Sequence, residues 1–424
     1  MSLRKLRRLA TSAFLVICLA QVADGYSVLT HEQIVDLAWK DQIRPLLLKR
    51  FPASSEAELK NAHAFAYGGC VIQDLGYYPF GSRQFSNLVH YVRSGDFVEN
   101  LLSESQDLNE YAFALGALSH YAADNSGHPA VNRAVAITFP KLRAKYGDSV
   151  TYEDDPKAHI RTEFGFDVAQ VAKNRYTANA YHDFIGFEVA KPLLERAFQK
   201  TYGIELGDVF KDSDLAIGTY RRSVSRIIPE MTKVALATRR ADIVKETPNL
   251  EKREFLYHLS RADYEKDWGK SYQKPGAGAR IMAFLLRIVS RIGPFKALGF
   301  KVPTRQTEDL YIASVNGTIE MYDGLLGKLR AGEKLELPNM DFDTGKKTVA
   351  GEYRLTDETY STLIRKLDER KFDHLTPALR ADILKFYADP EGQIETKKDA
   401  QEWQKTLDSL RALRSTEPIP TRGL

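Results

Sequence analysis

Cysteine is nearly absent from this chain, with two among 424 residues, Cys18 and Cys70. Cys18 lies in an apolar run near the start. Without that run Cys70 has no partner for an internal disulfide, and a zinc site built on several thiolates is excluded. A dominant charge is absent too, since 60 basic residues meet 56 acidic ones for a net charge of +4. Removing residues 1–25 takes away four basic groups and one acidic group and leaves +1. That balance gives no bulk electrostatic reason to bind nucleic acid. Alternating Val/Thr-rich runs are scarce, which argues against a large β architecture. There is no fixed-period repeat and no low-complexity tract, so a solenoid or a tail of biased composition is excluded.

The apolar run, residues 9–20, is too short to favour a membrane-spanning helix. Preceded by Arg4, Lys5, Arg7 and Arg8, it reads as the centre of a secretory signal. Ala23 and Gly25 are the small residues that place cleavage at the Gly25–Tyr26 bond, giving a secreted or periplasmic protein. Val16 and Ile17 before Cys18 are not the small residues of a lipoprotein site, and an uncleaved anchor is the remaining alternative. About 400 residues then remain, enough for one large domain and an extension stabilised by their own core.

What is present is helical periodicity. Residues 101–120, 187–200, 221–240 and 355–367 space their apolar positions at three and four, so the expected fold is mostly α. One short patch, residues 339–355, carries the turn signals Asp343-Thr344-Gly345 and Ala350-Gly351 and predicts a single β-hairpin. The expected division is a signal peptide at 1–25, a metal-binding catalytic domain at 26–237 and a mainly helical extension at 238–424. Residues 274–279, rich in Gly and Pro, mark a loop. Residues 281–300 read as an amphipathic core helix broken at Gly293-Pro294, or else as an interfacial segment that touches lipid.

The chemistry concentrates in the first 163 residues. His120, Asp124 and His128 stand at i, i+4 and i+8, and His159 and Glu163 repeat the four-residue step. On a helix each group lies one turn above the last on one face. Gly127 and Pro129 predict that the helix ends near His128, which would then approach from a loop. A lone His/Asp pair at this spacing is usually a surface contact. Within the first 163 residues four histidines (His31, His120, His128, His159) have a carboxylate within four residues, and that clustering points to a cysteine-free metal centre. Other sites read as bland: His63 has no carboxylate near it in sequence, and Asp212 and Asp214 suit a helix start better than a calcium site. Asn316-Gly317-Thr318 is a weak glycosylation match.

With these residues in place the chain resembles the zinc-dependent phospholipase C family, whose superfamily also holds the S1/P1-type nucleases. The stretches carrying the resemblance run from Tyr26 to His31, from Asp74 to His90, from Leu118 to Asp124 and from His159 to Glu163. The resemblance implies a multi-helix fold and three zinc ions. The amine and carbonyl of Tyr26, with His31, would hold one. Asp74, His90 and His120 would hold another, and His128, His159 and Glu163 the third, with Asp124 bridging the first two. It implies an exported phospholipase C that hydrolyses the glycerol-side phosphodiester of a phospholipid through a zinc-activated water, with Asp74 also considered as general base.

The chain differs from the family pattern in three places. Tyr replaces Trp at the mature N-terminus, three residues rather than five separate Asp124 from His128, and Leu75 and Asn87 stand where bacterial lecithinases have aromatics. Tyr77, Tyr78 and Phe80 are the aromatics left to line a pocket. The expected partner is a phospholipid or membrane surface, with nucleic acid less favoured and no protein partner. The rival readings are a single-strand nuclease, which would stack bases on aromatics, and a non-enzymatic helical binding protein with structural metals.

Overall fold

The computed structural model describes residues 27–172, 186–228, 231–232, 235, 300–389 and 394–419. The predicted signal, Tyr26, the loop at 274–279, most of residues 229–240 in the periodic stretch 221–240 and all of 281–300 except Phe300 lie outside the described residues. Fifteen α-helices and one short hairpin make up the regular structure of the described part, the mostly-α fold expected. None of these helices is long and apolar enough to cross a membrane.

Helix α1 (Val28–Ala38) passes through a π-turn (Trp39–Ile43) into α2 (Arg44–Arg50), and α3 (Glu56–Cys70) leads through a 3₁₀ turn (Ile72–Tyr77) to α4 (Arg83–Tyr91) and α5 (Ser94–Glu104). The long α6 (Leu108–Thr138) is followed by α7 (Pro140–Tyr146), α8 (Pro156–Ala172), α9 (Lys191–Tyr202), α10 (Leu206–Val209) and α11 (Ser213–Arg222). Further on come α12 (Arg305–Ala331), the antiparallel strands β1 (Met340–Asp341) and β2 (Lys346–Lys347), α13 (Arg354–Glu369), α14 (Pro377–Phe386) and α15 (Ala400–Ser415).

Local chemistry explains where these elements begin. The periodic stretch 101–120 is two helices rather than one, because the Asp107 carboxylate accepts the Glu110 N–H and starts α6 afresh. Asp212 does the same for α11 by accepting from Leu215 N–H, the helix start its sequence suggested. Asn316 lies inside α12, not in the exposed loop that a glycosylation acceptor occupies.

Helix α6 is the axis of the molecule. It crosses α3 so closely that a Cβ on Gly69 would stand 2.0 Å from the Phe113 carbonyl oxygen, and one on Gly116 would stand 2.1 Å from that of Ala66. Only glycine permits this backbone contact. Tyr322 of α12 donates to the Leu115 carbonyl at 2.9 Å and fixes a third helix on the same axis. One apolar cluster runs from Val28 to Leu413 and takes in Leu118, Phe198, Tyr322, Leu363 and Leu379, so α12–α15 share the core of the earlier helices.

The expected end of α6 at His128 is corrected. The helix continues ten residues further, to Thr138, with Pro129 inside it. Proline removes one N–H from the ladder, and the hydrogen bond lost is the one Asn125 C=O would accept. The hairpin turn fills this weak point: Gly345, at φ +66°, lies so close that a Cβ there would be 2.9 Å from the Asn125 carbonyl oxygen and 2.7 Å from the Pro129 ring.

Candidate metal centre

Four helices and one turn aim nitrogen and oxygen at one buried point. His120, Asp124 and His128 project from successive turns of α6, and all three are fully buried. His120 Nε2 and His128 Nε2 lie 2.9 Å and 3.4 Å from the same Asp124 oxygen, Oδ2. From α1, His31 Nε2 reaches the other oxygen at 3.5 Å. From α4, His90 Nε2 stands 3.6 Å from Asp124 Oδ2 and 3.4 Å from Asp74 Oδ1. Asp124 is thus surrounded by four imidazoles, two from its own helix.

The second half of the site lies on α8. His159 Nδ1 stands 2.6 Å from Glu163 Oε1, and the His159 and His128 rings stack at 5.4 Å. All eight side chains expected from the sequence therefore lie together, apart from Tyr26, which is outside the described residues. The short spacing between Asp124 and His128 works because α6 stays helical through Gly127, which keeps His128 one turn from Asp124.

Each ring is turned by its other nitrogen. His90 Nδ1 donates to the Ser86 carbonyl at 2.8 Å, and His120 Nδ1 donates to the Cys70 carbonyl at 2.9 Å. With a hydrogen on Nδ1, it is Nε2 that faces the carboxylates and would offer its lone pair to a metal. His159 is reversed: its Nε2 lies 2.7 Å from Asn132 Oδ1, so Nδ1 is the lone pair. Orienting partners of this kind are characteristic of imidazole ligands to metals. Ser86 also holds the turn that carries Asp74, accepting from Gly76 N–H and donating to the Gln73 carbonyl. Asp167 of α8 accepts from Leu29 N–H at 3.0 Å and from the Thr30 hydroxyl at 2.7 Å, and so pins the start of α1 beside the site.

The donor set fits a metal. Both oxygens of Asp74, both of Asp124, Nε2 of His90 and of His120, and Nδ1 of His159 are buried without a hydrogen-bond partner among the described residues. Leaving seven such atoms unsatisfied in a folded interior is costly unless a cation completes them. Two ligand triples lie with their atoms within 4.8 Å of one another, His31–His120–Asp124 and Asp74–His90–His120. Electrostatics agree with this. Burial, helped by the neighbouring His120, lowers His31 to about 3, and burial with His128 beside it holds His159 well below the usual value. Both rings are neutral at physiological pH, the form that binds metal. Burial alone would raise Asp124, but the facing His120 and His128 hold it well below the carboxylate range. Burial raises Asp74.

Sequence reasoning missed four neighbours. Tyr152 is half-buried and packs edge-on to His159 at 6.0 Å and against Tyr77 at 6.1 Å, while Tyr77 packs edge-on to His90 at 5.9 Å. The two tyrosines form an aromatic wall along the site. Of the aromatics expected there, Tyr78 turns away onto Tyr220, and Phe80 is half exposed. Asn132, Phe342 and Asp343 were also missed. Phe342 packs edge-on to His90 at 5.4 Å, and Asp343 Oδ1 lies 3.6 Å from His128 Nδ1. The only signal in the sequence for these last two was the hairpin turn itself. Phe300, the one described residue of 281–300, is buried against Phe164 of α8.

Comparison with known proteins agrees with this site. No curated protein and no solved structure matches the chain. Residues 30–212 match the family described as zinc dependent phospholipase C, a span that contains every described ligand candidate. Its fold and its histidine and carboxylate cluster agree with this match, and the region 30–212 is similar to the zinc-dependent phospholipase C family.

Proposed function

We propose that the protein is an exported zinc-dependent phosphodiesterase that hydrolyses the glycerol-side phosphodiester of phospholipids, releasing diacylglycerol and a phosphorylated head group. The observation that carries this reading is the Asp124 carboxylate ringed by four imidazoles from three helices, with both its oxygens and the Nε2 atoms of His90 and His120 lacking hydrogen-bond partners among the described residues. In this reading His31 with the amine and carbonyl of Tyr26 holds one zinc, Asp74, His90 and His120 a second, and His128, His159 and Glu163 a third, with Asp124 bridging the first two. Cleavage before Tyr26 is required because only a free α-amine can chelate, and Asp167 holds the first turn of α1, the helix that carries His31.

Bound zinc supplies a water of lowered pKa and neutralises charge on the phosphoryl oxygens and the leaving alkoxide. The protein's own contributions are distinct from that. Asp74, raised by burial, is the carboxylate placed to accept a proton from the attacking water. The hydrogen bonds to Ser86, Cys70 and Asn132 keep three imidazoles aimed without rearrangement. The wall of Tyr77 and Tyr152 offers an apolar flank for a head group or glycerol backbone.

A second reading has an observation of its own. The ligand side chains are almost fully buried, as a structural metal centre would also require. One experiment separates the readings: the chain beginning at Tyr26, loaded with zinc, is given phospholipid vesicles and, separately, single-stranded DNA. Diacylglycerol release that stops on chelation is the expected result. DNA cleavage without diacylglycerol selects the nuclease reading, and neither activity from a zinc-loaded protein selects a structural centre.

A further inference from the structure

The hairpin that closes over the metal centre comes from a part of the chain that the family match does not reach. It is fixed there by many contacts. Asn339 Oδ1 accepts from Gly95 and Asp96 N–H at 3.0 Å and 3.1 Å, capping α5, whose preceding residue Arg93 offers no side-chain cap. Ser94 Oγ donates to the Met340 carbonyl and accepts its N–H, and the Thr348 hydroxyl donates to the Tyr91 carbonyl at 3.1 Å. Phe342 N–H donates to the carbonyl of His90 at 3.2 Å. The turn at Gly345 rests against Pro129 of α6.

At the tip of this device is Asp343, fully buried. Its Oδ2 accepts two phenol hydroxyls, from Tyr91 at 2.9 Å and from Tyr353. Its Oδ1 has no hydrogen-bond partner among the described residues and faces His128 Nδ1 at 3.6 Å. That is an ion-pair separation, and contacts of this kind tighten when a site is loaded. The backbone carbonyl of the same residue accepts Asn132 Nδ2 at 2.7 Å. Asn132 is thereby held with its Oδ1 toward His159 Nε2. One residue thus reaches two imidazoles, His128 through its carboxylate and His159 through Asn132.

Resting on the ligand assignment above, we infer that Asp343 is a positioning residue of the metal centre, orienting His128 and His159 so that the ion they share with Glu163 can bind. Its carboxylate accepts the His128 Nδ1 hydrogen and leaves Nε2 as the coordinating lone pair, the part that backbone carbonyls play for His90 and His120. The C-terminal hairpin is then a component of the site rather than an appendage to it.

Asp343→Asn tests this with little change of shape. The amide oxygen still accepts the two tyrosine hydroxyls, but the amide nitrogen then faces His128 Nδ1 as a donor. That selects the opposite tautomer and places a hydrogen on Nε2, where the ion would bind. Zinc alone is the probe, with metal count by native mass spectrometry and affinity by competition with a chromogenic chelator. His128→Ala and the double variant are measured beside Asp343→Asn, and circular dichroism checks the fold of the metal-free forms.

The expected result is that Asp343→Asn folds as the wild type but binds one ion about ten- to a hundred-fold more weakly, with the other sites unchanged. His128→Ala loses the same ion, and the double variant loses no more. If His128→Ala loses an ion while Asp343→Asn keeps its full complement at wild-type affinity, the inference is overturned and the ligand assignment stands. If neither variant loses zinc, His128 is not a ligand, and the assignment and the inference fall together.

Discussion

Among the described residues, two buried groups of histidine and carboxylate have opposite characters. Around His63 the carboxylate is met by donors. Its Nε2 pairs with Asp36 Oδ1 at 3.0 Å, Tyr67 donates to the same oxygen at 2.5 Å, and the Trp39 ring stacks on the imidazole at 3.7 Å. Around Asp124 four imidazoles converge on one carboxylate, and both oxygens of Asp74 and of Asp124 are left without hydrogen bonds. Burial is the same in both places, and so are the residue types. What separates the two groups is stoichiometry: the Asp36 carboxylate is met by a ring and a hydroxyl, whereas a cluster with more lone pairs than hydrogens calls for a cation.

The contrast can be broken most directly at His120, which belongs to both ligand triples. His120→Ala should lose zinc and lower phospholipid hydrolysis by at least about a hundred-fold, more than removing a partner that merely orients a ligand would cost. Added zinc should raise the melting temperature of the wild type but not of this variant. Elemental analysis and thermal melts with and without zinc check both statements. A variant that kept its metal and activity would remove the distinction between the two groups.

The next effect in size is at the balanced group. His63→Ala should leave zinc content and turnover intact and cost about 3 kcal/mol of stability, because it strands the buried Asp36 carboxylate and opens a gap under Trp39. Urea unfolding of the zinc-loaded variant beside the wild type measures it, and loss of zinc would show that the two groups are coupled.

The smallest effect is in pH, because the rings of the cluster oppose one another. His31, lowered to about 3, and His159, also lowered, bind fewer protons folded than unfolded below pH 6.5. Their contribution makes the metal-free protein more stable as pH rises from about 3 to 6.5. Burial would lower His90, but Asp124 and Asp74 outweigh it and raise that ring well above its usual value. Its contribution is full below pH 6.5 and is lost as pH climbs above that. Metal-free stability should therefore peak near pH 6.5, and the fall on the alkaline side should flatten in His90→Ala. Melting temperatures across the range would show it.

Much of this was legible in the sequence, for identifiable reasons. The comb of His120, Asp124 and His128 obeys a local rule, one residue per helical turn, so spacing alone placed it on one face. The hairpin at 339–355 announced itself through turn residues. The continuation of α6 past Pro129 did not, because proline is normally a helix stop and what fills the weakened rung is Gly345, more than 200 residues away. Asp36 beside His63 and Asp343 beside His128 were invisible for the same reason: they are tertiary neighbours with no period in the chain to reveal them.

The hydrogen bond from Asn132 to the Asp343 carbonyl closes a loop of 211 residues. Timing follows from that length. A chain completed only through residue 212 already carries the described histidine and carboxylate side chains of the site, but not the turn at Asp343 that faces two of them. Contacts so distant along the chain form late, since they bear the largest closure entropy and wait on the most synthesis. The side chains of the site are therefore gathered early, and the hairpin settles against them late.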